Sequence, residues 1–136
     1  MEGRMRVAIA PDLTVEFAKG IPYGPEDPSV VGLILHLAGS GISIEYDVVL
    51  FGSEELTDFF RELYSDFRGW SGERKWRSFD GRLRISARHD GHVHLRWRIA
   101  SDPGTEFWRF SFVTQHGAGE DLRRFADDLD TLVGTE

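Results

Sequence analysis

Three histidines near the middle of the chain are the residues best suited to metal chemistry. His92 and His94 lie two residues apart on a predicted strand, so their side chains project from the same side, and His89 lies at the adjacent turn. Imidazole nitrogens arranged in this way bind zinc or iron. The arginines around them disfavour a dication, and such histidines are more often solvent-exposed or hydrogen-bonded. A metal-dependent enzyme centred on these three residues is therefore one hypothesis, but not the leading one.

Arginine side chains form the second group that could do chemistry. The chain has a net charge of −7 and contains fourteen arginines but only two lysines. Residues 68–98 carry nine basic and three acidic side chains, so this segment is +6 and the rest of the chain is −13. Guanidinium groups favour bidentate or interfacial contacts over diffuse tracking of a phosphate backbone. The overall acidity argues against a general nucleic-acid binder, whereas the basic segment predicts a local surface for an anionic partner.

Catalytic motifs do not accompany these groups. The sequence has no phosphate-binding glycine-rich loop, no nucleophile elbow and no helical His-Glu-x-x-His motif. The absence of cysteine excludes disulfides, a cysteine nucleophile and cysteine-ligated zinc. We therefore expect no catalytic residue and no cofactor. No apolar run approaches the ~20 residues that cross a bilayer, and the N-terminus is a poor signal peptide, so we expect a cytoplasmic protein without membrane contact.

The hydrophobic pattern predicts a single domain, residues 1–136, with mixed secondary structure. Apolar residues alternate over 7–17, 31–37 and 42–50, which indicates strands, and recur at helical spacing over 53–68 and 120–133. Three further strands are predicted between the two helices. Because the tight connections are hairpins, we expect an α+β two-layer sandwich. In it, two helices cover one face of an antiparallel sheet of about five to seven strands.

The hairpin around residue 90 determines which charges face one another. A three-residue loop, His89-Asp90-Gly91, pairs apolar residues with apolar residues and places Gly91 at a left-handed position. On the outward face, this register and that of the next hairpin bring arginines together: Arg84 opposite Arg96, Arg82 opposite Arg98, and Arg109 beside Arg98. Like charges directly opposite on a sheet are unfavourable, so this arrangement requires compensation.

Two explanations of this arginine surface remain open. Glu16, Glu45 and Asp47, on the outward faces of the N-terminal strands, are predicted to pair with the arginines across the sheet. Alternatively, the arginines bind an acidic protein surface, a phosphate or a nucleic acid. The candidate binding residues are then Arg82, Arg84, Arg96, Arg98 and Arg109. Trp70 and Trp76, which flank the basic connector after the first helix, are further binding candidates, although capping the end of the sheet is their more ordinary role.

Three short motifs carry a resemblance. They are Gly69-Trp70-Ser71-Gly72-Glu73, then Trp76-x-Ser78-x-Asp80-Gly81-x-Leu83, then Asp90-Gly91-His92-Val93-x-Leu95. In these motifs the chain resembles an uncharacterised family of small bacterial proteins, mainly actinobacterial, with no assigned function. In the order of strands and helices alone, it is similar to WapI-type immunity proteins. That second resemblance implies a small cytosolic protein that neutralises a toxin by binding it.

The leading hypothesis is thus a non-enzymatic protein-binding domain, with toxin neutralisation as its more specific form. The first alternative is a nucleotide or nucleic-acid binder that uses the arginine surface, and the second is the metal-dependent enzyme. We expect a protein partner and no membrane partner. Nucleic acid is a less favoured partner, and a homodimer remains open because an open sheet has edges that can pair.

Overall fold

The computed structural model of the protein describes residues 4–20, 30–51, 53–101 and 107–133. Eight strands and two helices occur within these ranges. In chain order they are β1 (Arg4–Ala10), β2 (Leu13–Gly20), β3 (Val30–Gly39), β4 (Ile42–Phe51), α1 (Ser53–Ser65), β5 (Glu73–Arg77), β6 (Leu83–His89), β7 (His92–Ala100), β8 (Arg109–Gly117) and α2 (Glu120–Val133). Neither helix is long and apolar enough to cross a membrane.

The strands form two antiparallel sheets of four strands each. Their orders are β1-β2-β3-β4 and β5-β6-β7-β8, and α1 lies between the two groups in the chain. The prediction of an antiparallel α+β fold is therefore confirmed, whereas the prediction of one sheet of five to seven strands is wrong. Hairpin signals identify which neighbouring strands pair, but they do not indicate whether two separate groups of strands belong to the same sheet.

Both sheets and both helices contribute to one hydrophobic core. Phe17 of the first sheet and Trp97 of the second are fully buried, and their ring centroids lie 5.0 Å apart. Phe60 of α1 and Phe125 of α2 pack edge to face at 5.2 Å and both contact Trp97. Truncating an aromatic side chain in such a core costs about 3–5 kcal/mol. This cluster therefore holds the two sheets and the helix pair together.

The hairpin of β6 and β7 keeps the predicted faces but not the predicted pairing. Three residues, Asp90-Gly91-His92, lie between the paired His89 and Val93, so the loop begins one residue later than predicted. The loop length of three is confirmed, as is the left-handed Gly91, whose φ is 105°. The later start shifts each cross-strand partner by two positions. A shift of two leaves every side chain on the same face, so the apolar residues still meet.

The corrected register changes which charges face one another. The predicted oppositions Arg84–Arg96 and Arg82–Arg98 are wrong, because Arg84 lies opposite Arg98. The predicted position of Arg109 beside Arg98 is also wrong, since Arg109 pairs two positions further along β7. One direct opposition of arginines across β6 and β7 therefore replaces the two that were predicted.

A buried polar chain lies beside the aromatic cluster. The indole N–H of Trp97 donates a hydrogen bond to Oγ1 of buried Thr114 at 2.9 Å, and that oxygen is also 2.9 Å from Nε2 of His116. The imidazole packs on Phe125 with ring centroids 4.8 Å apart. Burial lowers the pKa of His116 to about 4, and the nearby Asp121 carboxylate only partly opposes this. His116 is therefore neutral in the folded protein near neutral pH.

His116 should make the fold less stable as the pH falls. Its pKa is 6.5 in the unfolded chain and about 4 in the folded one, so the unfolded chain takes up the proton first. The stabilisation is complete above the unfolded pKa and is lost as the pH falls toward the folded one. Between about pH 7 and about pH 5 the wild type should lose about 2 kcal/mol more of its free energy of unfolding than His116→Gln. Urea titrations at the two pH values measure this difference, and equal losses in both proteins would contradict it.

Candidate functional site

Strand alternation separates the second sheet into an apolar inner face and a charged outer face. Along β6, Leu83, Ile85 and Ala87 are buried, whereas Arg84 and Arg88 are exposed. From His92 to Ile99 on β7, the same alternation buries the residues at odd positions and turns those at even positions outward, and the final Ala100 is buried. Because side chains of adjacent strand residues point to opposite faces, the buried core residues force the intervening basic residues away from the core.

The cross-strand registers arrange the outward side chains in rows across all four strands. In the first row a continuous run of three arginines on β5, β6 and β7 ends in a serine on β8: Arg77, Arg84, Arg98 and Ser111. The second row alternates cationic and smaller side chains: Lys75, Ser86, Arg96 and Val113. Residues directly opposite in a sheet have Cβ atoms about 4.5–5.5 Å apart, so the first row places three like charges side by side.

These rows line a groove, which we call the cationic groove. Its volume is about 730 Å³, and its lining residues are Lys75, Trp76, Arg77, Arg84, Ile85, Ser86, Arg96, Arg98, Arg109 and Ser111. Six of the ten are cationic and none is acidic. The groove is open to solvent, since the lysine and all the lining arginines except the half-buried Arg98 are exposed. This concentration of positive charge occurs on a protein whose net charge is −7.

Five cations of the groove have no carboxylate partner within the described residues. No Asp or Glu oxygen there lies within 4.0 Å of the charged nitrogens of Lys75, Arg77, Arg84, Arg96 or Arg98. Most arginines outside the groove differ in this respect, as the 2.5 Å Arg74–Asp66 and 2.9 Å Arg61–Asp130 contacts illustrate. These five cations of the groove are thus set apart by their environment as well as by their number.

The predicted compensation by acidic residues of the N-terminal strands is wrong. Glu16 pairs instead with its own neighbours on β1, Arg4 at 3.3 Å and Arg6 at 3.1 Å. Glu45 and Asp47 lie on β4, an edge strand of the other sheet, and form no ion pair with a described arginine. The physical reason is the division into two sheets, because β4 does not pair with any of β5 to β8, so its acidic residues are not cross-strand neighbours of the arginines.

The structure places four of the five predicted arginines in the groove, namely Arg84, Arg96, Arg98 and Arg109. Arg82 lies outside it, where Asp80 approaches its Nε at 3.7 Å. Two lining cations, Lys75 and Arg77, were not among the predicted binding residues. The alternation of basic and other residues along Glu73–Arg77 contained this signal, since those two share a face and Trp76 takes the other.

The two predicted tryptophans have different environments. Trp70 lies outside the groove lining, donates from its indole N–H to the carbonyl of Ala87 at 3.3 Å, and packs under the guanidinium of Arg74 at 4.8 Å from its ring. Because Arg74 is in turn held by Asp66, Trp70 belongs to a structural clamp at the end of the sheet. Trp76 lines the groove while also packing against the core.

The three histidines are not brought together as metal ligands. His89 is on the inner side of β6, and both its nitrogens are engaged: Nε2 lies 2.9 Å from the carbonyl of Phe67, and Nδ1 accepts the amide of Gly91 at 3.2 Å. His94 is on the outer face, with Nε2 2.8 Å from Asp90. Hydrogen bonds from His94 and from the backbone of His92 lower the pKa of Asp90. No group of three metal-binding side chains occurs within the described part of the chain.

Comparison with known proteins assigns a family but no activity. No curated protein and no solved structure shows a significant match to the chain. A family of unknown function, DUF6228, matches residues 6–136, which is nearly the whole sequence. The chain therefore belongs to this family of unknown function, DUF6228.

Proposed function

We propose that this protein is a non-enzymatic binding domain that holds an acidic protein partner in its cationic groove. The observation that carries the proposal is the set of five groove cations without a carboxylate partner among the described residues. Like charges directly opposite one another destabilise a sheet, and Arg77, Arg84 and Arg98 stand in one row. A partner that supplies carboxylates removes this repulsion on binding.

The chemistry of the groove favours a protein over a nucleic acid. Proteins that bind single strands combine basic grooves with aromatic platforms on which bases stack. Trp76 is the one aromatic side chain in the lining of the cationic groove, and it packs against the core. The described outward positions of β5 to β8 carry charged, polar or small side chains and no aromatic residue. In addition, the net charge of −13 on the residues outside 68–98 repels a long polyanion. An acidic patch on a protein can match the groove in size, so it does not have to extend over the acidic rest of the chain as a long polyanion does.

Neutralisation of a toxin is the more specific form of this proposal. It needs only a binding surface and no catalytic centre, which agrees with the dispersed histidines described above. Its partner would be a toxin domain that presents acidic residues. A metal-dependent enzyme is less favoured, because His89 uses both ring nitrogens in hydrogen bonds to the backbone.

Removing one arginine of the row should stabilise the free protein. Arg84 has an arginine opposite it on each side, so Arg84→Thr should raise the free energy of unfolding by about 0.5–1 kcal/mol at low salt. The gain should shrink at about 0.5 M salt, where charges are screened within about 4 Å. Urea titrations at both salt concentrations measure it. Arg6→Thr is the matched control, because this outward strand arginine has a carboxylate partner at 3.1 Å and should show no gain. A loss of stability in Arg84→Thr at low salt would contradict the prediction.

Acidic polypeptide should bind to the groove and not elsewhere on the surface. The probe is fluorescein-labelled polyglutamate of about 12 residues, compared with a labelled oligothymidylate of the same length by fluorescence anisotropy at about 50 mM and about 300 mM salt. We expect the polyglutamate to bind more tightly than the oligothymidylate, and we expect its binding to weaken at the higher salt concentration. Arg96→Glu combined with Arg98→Glu should weaken binding by at least about tenfold, because each reversal replaces an attraction with a repulsion.

The control carries the same change of net charge away from the groove. Arg68→Glu combined with Arg124→Glu reverses two exposed arginines that are absent from the groove lining, and binding should stay within about twofold of the wild type. Equal weakening in both double variants would show that net charge alone governs binding. Tighter binding of the oligothymidylate would favour the nucleic-acid alternative.

The toxin hypothesis makes a separate prediction in cells. If a toxin gene adjoins the gene for this protein, co-expression of the protein should restore growth of cells that produce the toxin. The Arg96→Glu, Arg98→Glu variant should fail to protect, whereas the Arg68→Glu, Arg124→Glu control should protect as well as the wild type. Colony counts under induction measure the effect, and protection by the groove variant would argue against a role of the groove in neutralisation.

A further inference from the structure

We infer that the acidic partner enters the cationic groove as an extended segment with carboxylates at alternate residues. This inference rests on the proposed function and adds the conformation and charge pattern of the bound segment. Such a segment lies over β6 and β7 and runs along them. The carboxylates that point toward the sheet meet Arg84, Arg96 and Arg98.

The spacing of the arginines is the first argument. Arg96 and Arg98 are two residues apart on β7 and share its outward face, so their Cα atoms are separated by about 6.7 Å along the strand. An extended peptide repeats its side chains on one face at the same interval. An α-helix instead brings residues three or four positions apart together at about 5–6 Å. The repeat of the groove therefore matches carboxylates at i and i+2 of an extended chain.

Hydroxyl groups beside the arginines are the second argument. Ser86 lies directly opposite Arg96, and Ser111 lies directly opposite Arg98. All four residues line the groove. A carboxylate has two oxygens, so it can accept from a guanidinium and from a serine hydroxyl at the same time. The two arginine–serine pairs thus form two carboxylate receptors at alternate residues of β7, with the serine on β6 in one and on β8 in the other.

The charges around the receptors limit the length of the bound segment. Lys75 and Arg77 on β5 extend the positive field sideways, beyond Arg84. Toward the loop at residue 90, Glu73 lines a smaller cleft of about 110 Å³ together with Arg88, His94 and Arg96. Asp90 follows at the turn. These carboxylates repel further acidic residues, so a segment with a few alternating carboxylates fits the groove better than a long polyanion does.

Two peptides of identical composition test the inference. Both have about 12 residues, half glutamate and half serine. One has the glutamates at alternate positions, and the other has them in adjacent pairs separated by pairs of serines. In an extended chain only one glutamate of each adjacent pair faces the sheet, so the paired peptide presents half as many carboxylates per face. We expect the alternating peptide to bind at least about fivefold more tightly in fluorescence anisotropy at low salt.

Substitutions at the receptors then tell specific contacts from general attraction. Arg96→Gln and Arg98→Gln should each weaken binding of the alternating peptide more than binding of the paired peptide. Ser86→Ala should likewise have the larger effect on the alternating peptide. Each variant is first shown by circular dichroism to fold and melt like the wild type. Arg124→Gln, on the outer surface of α2, is the control and should leave the preference unchanged.

The outcomes separate this inference from the proposed function. Equal binding of both peptides, lost in the Arg96→Glu, Arg98→Glu variant, would overturn the inference and leave the proposed function in place. Binding of neither peptide at low salt would overturn both. Tighter binding of the paired peptide would also overturn the inference, because it would indicate a partner that presents its charges with another geometry.

Discussion

The burial of Trp97 is the constraint on which the rest of the structure depends. Its ring lies in the middle of β7 and contacts Phe17 of the other sheet and Phe60 and Phe125 of the helices. Because a strand turns consecutive side chains to opposite faces, this one buried ring dictates that both of its neighbours, Arg96 and Arg98, point away from the core. The same residue that joins the layers therefore creates the charged face.

Burial on the inner face of the second sheet stabilises the fold by much more than charge repulsion on its outer face destabilises it. Each large side chain buried on the inner face contributes on the order of 2–3 kcal/mol, whereas an unfavourable cross-strand charge pair costs less than about 1 kcal/mol. The core can hence support a row of three arginines without loss of the fold. Such a row weakens the free protein slightly and strengthens any complex in which carboxylates are supplied. The groove is thus the outer face of a stable scaffold, and five of its cations have no carboxylate partner in the described part of the chain.

Sequence analysis predicted well what alternation and turn chemistry determine. The strand faces and the left-handed Gly91 both follow from a period of two and from local loop geometry. The pairing in the β6–β7 hairpin was wrong by two positions, since such a shift leaves the apolar pattern unchanged. Hydrophobic periodicity indicates which residues share a strand face. It does not distinguish between cross-strand registers that differ by an even number of residues.

The grouping of the strands into sheets could not be predicted from the sequence. Nothing local indicated that β1 to β4 and β5 to β8 form separate sheets, so the acidic residues of β4 were expected to meet arginines that lie on another surface. Likewise, His89 and His94 are close in sequence, but the pleat places them on opposite faces. His89 is therefore a structural residue on the inner side of the sheet, whereas His94 is a half-buried residue on its outer face.

Apart from Trp76, which lines the groove, the residues of the motifs that carry the family resemblance belong to the scaffold. Gly69, Gly72, Gly81 and Gly91 have positive φ angles, and Ser78 accepts the amide of Leu83 through Oγ at 3.1 Å while donating to Asp80. These residues shape the turns that set the hairpin registers. Four of the six groove cations, Arg84, Arg96, Arg98 and Arg109, lie outside the motifs, and the other two, Lys75 and Arg77, stand beside or between motif residues. A protein can therefore share the motifs and the fold while presenting a different outer face, so the role of each chain has to be sought in the outward positions of its strands.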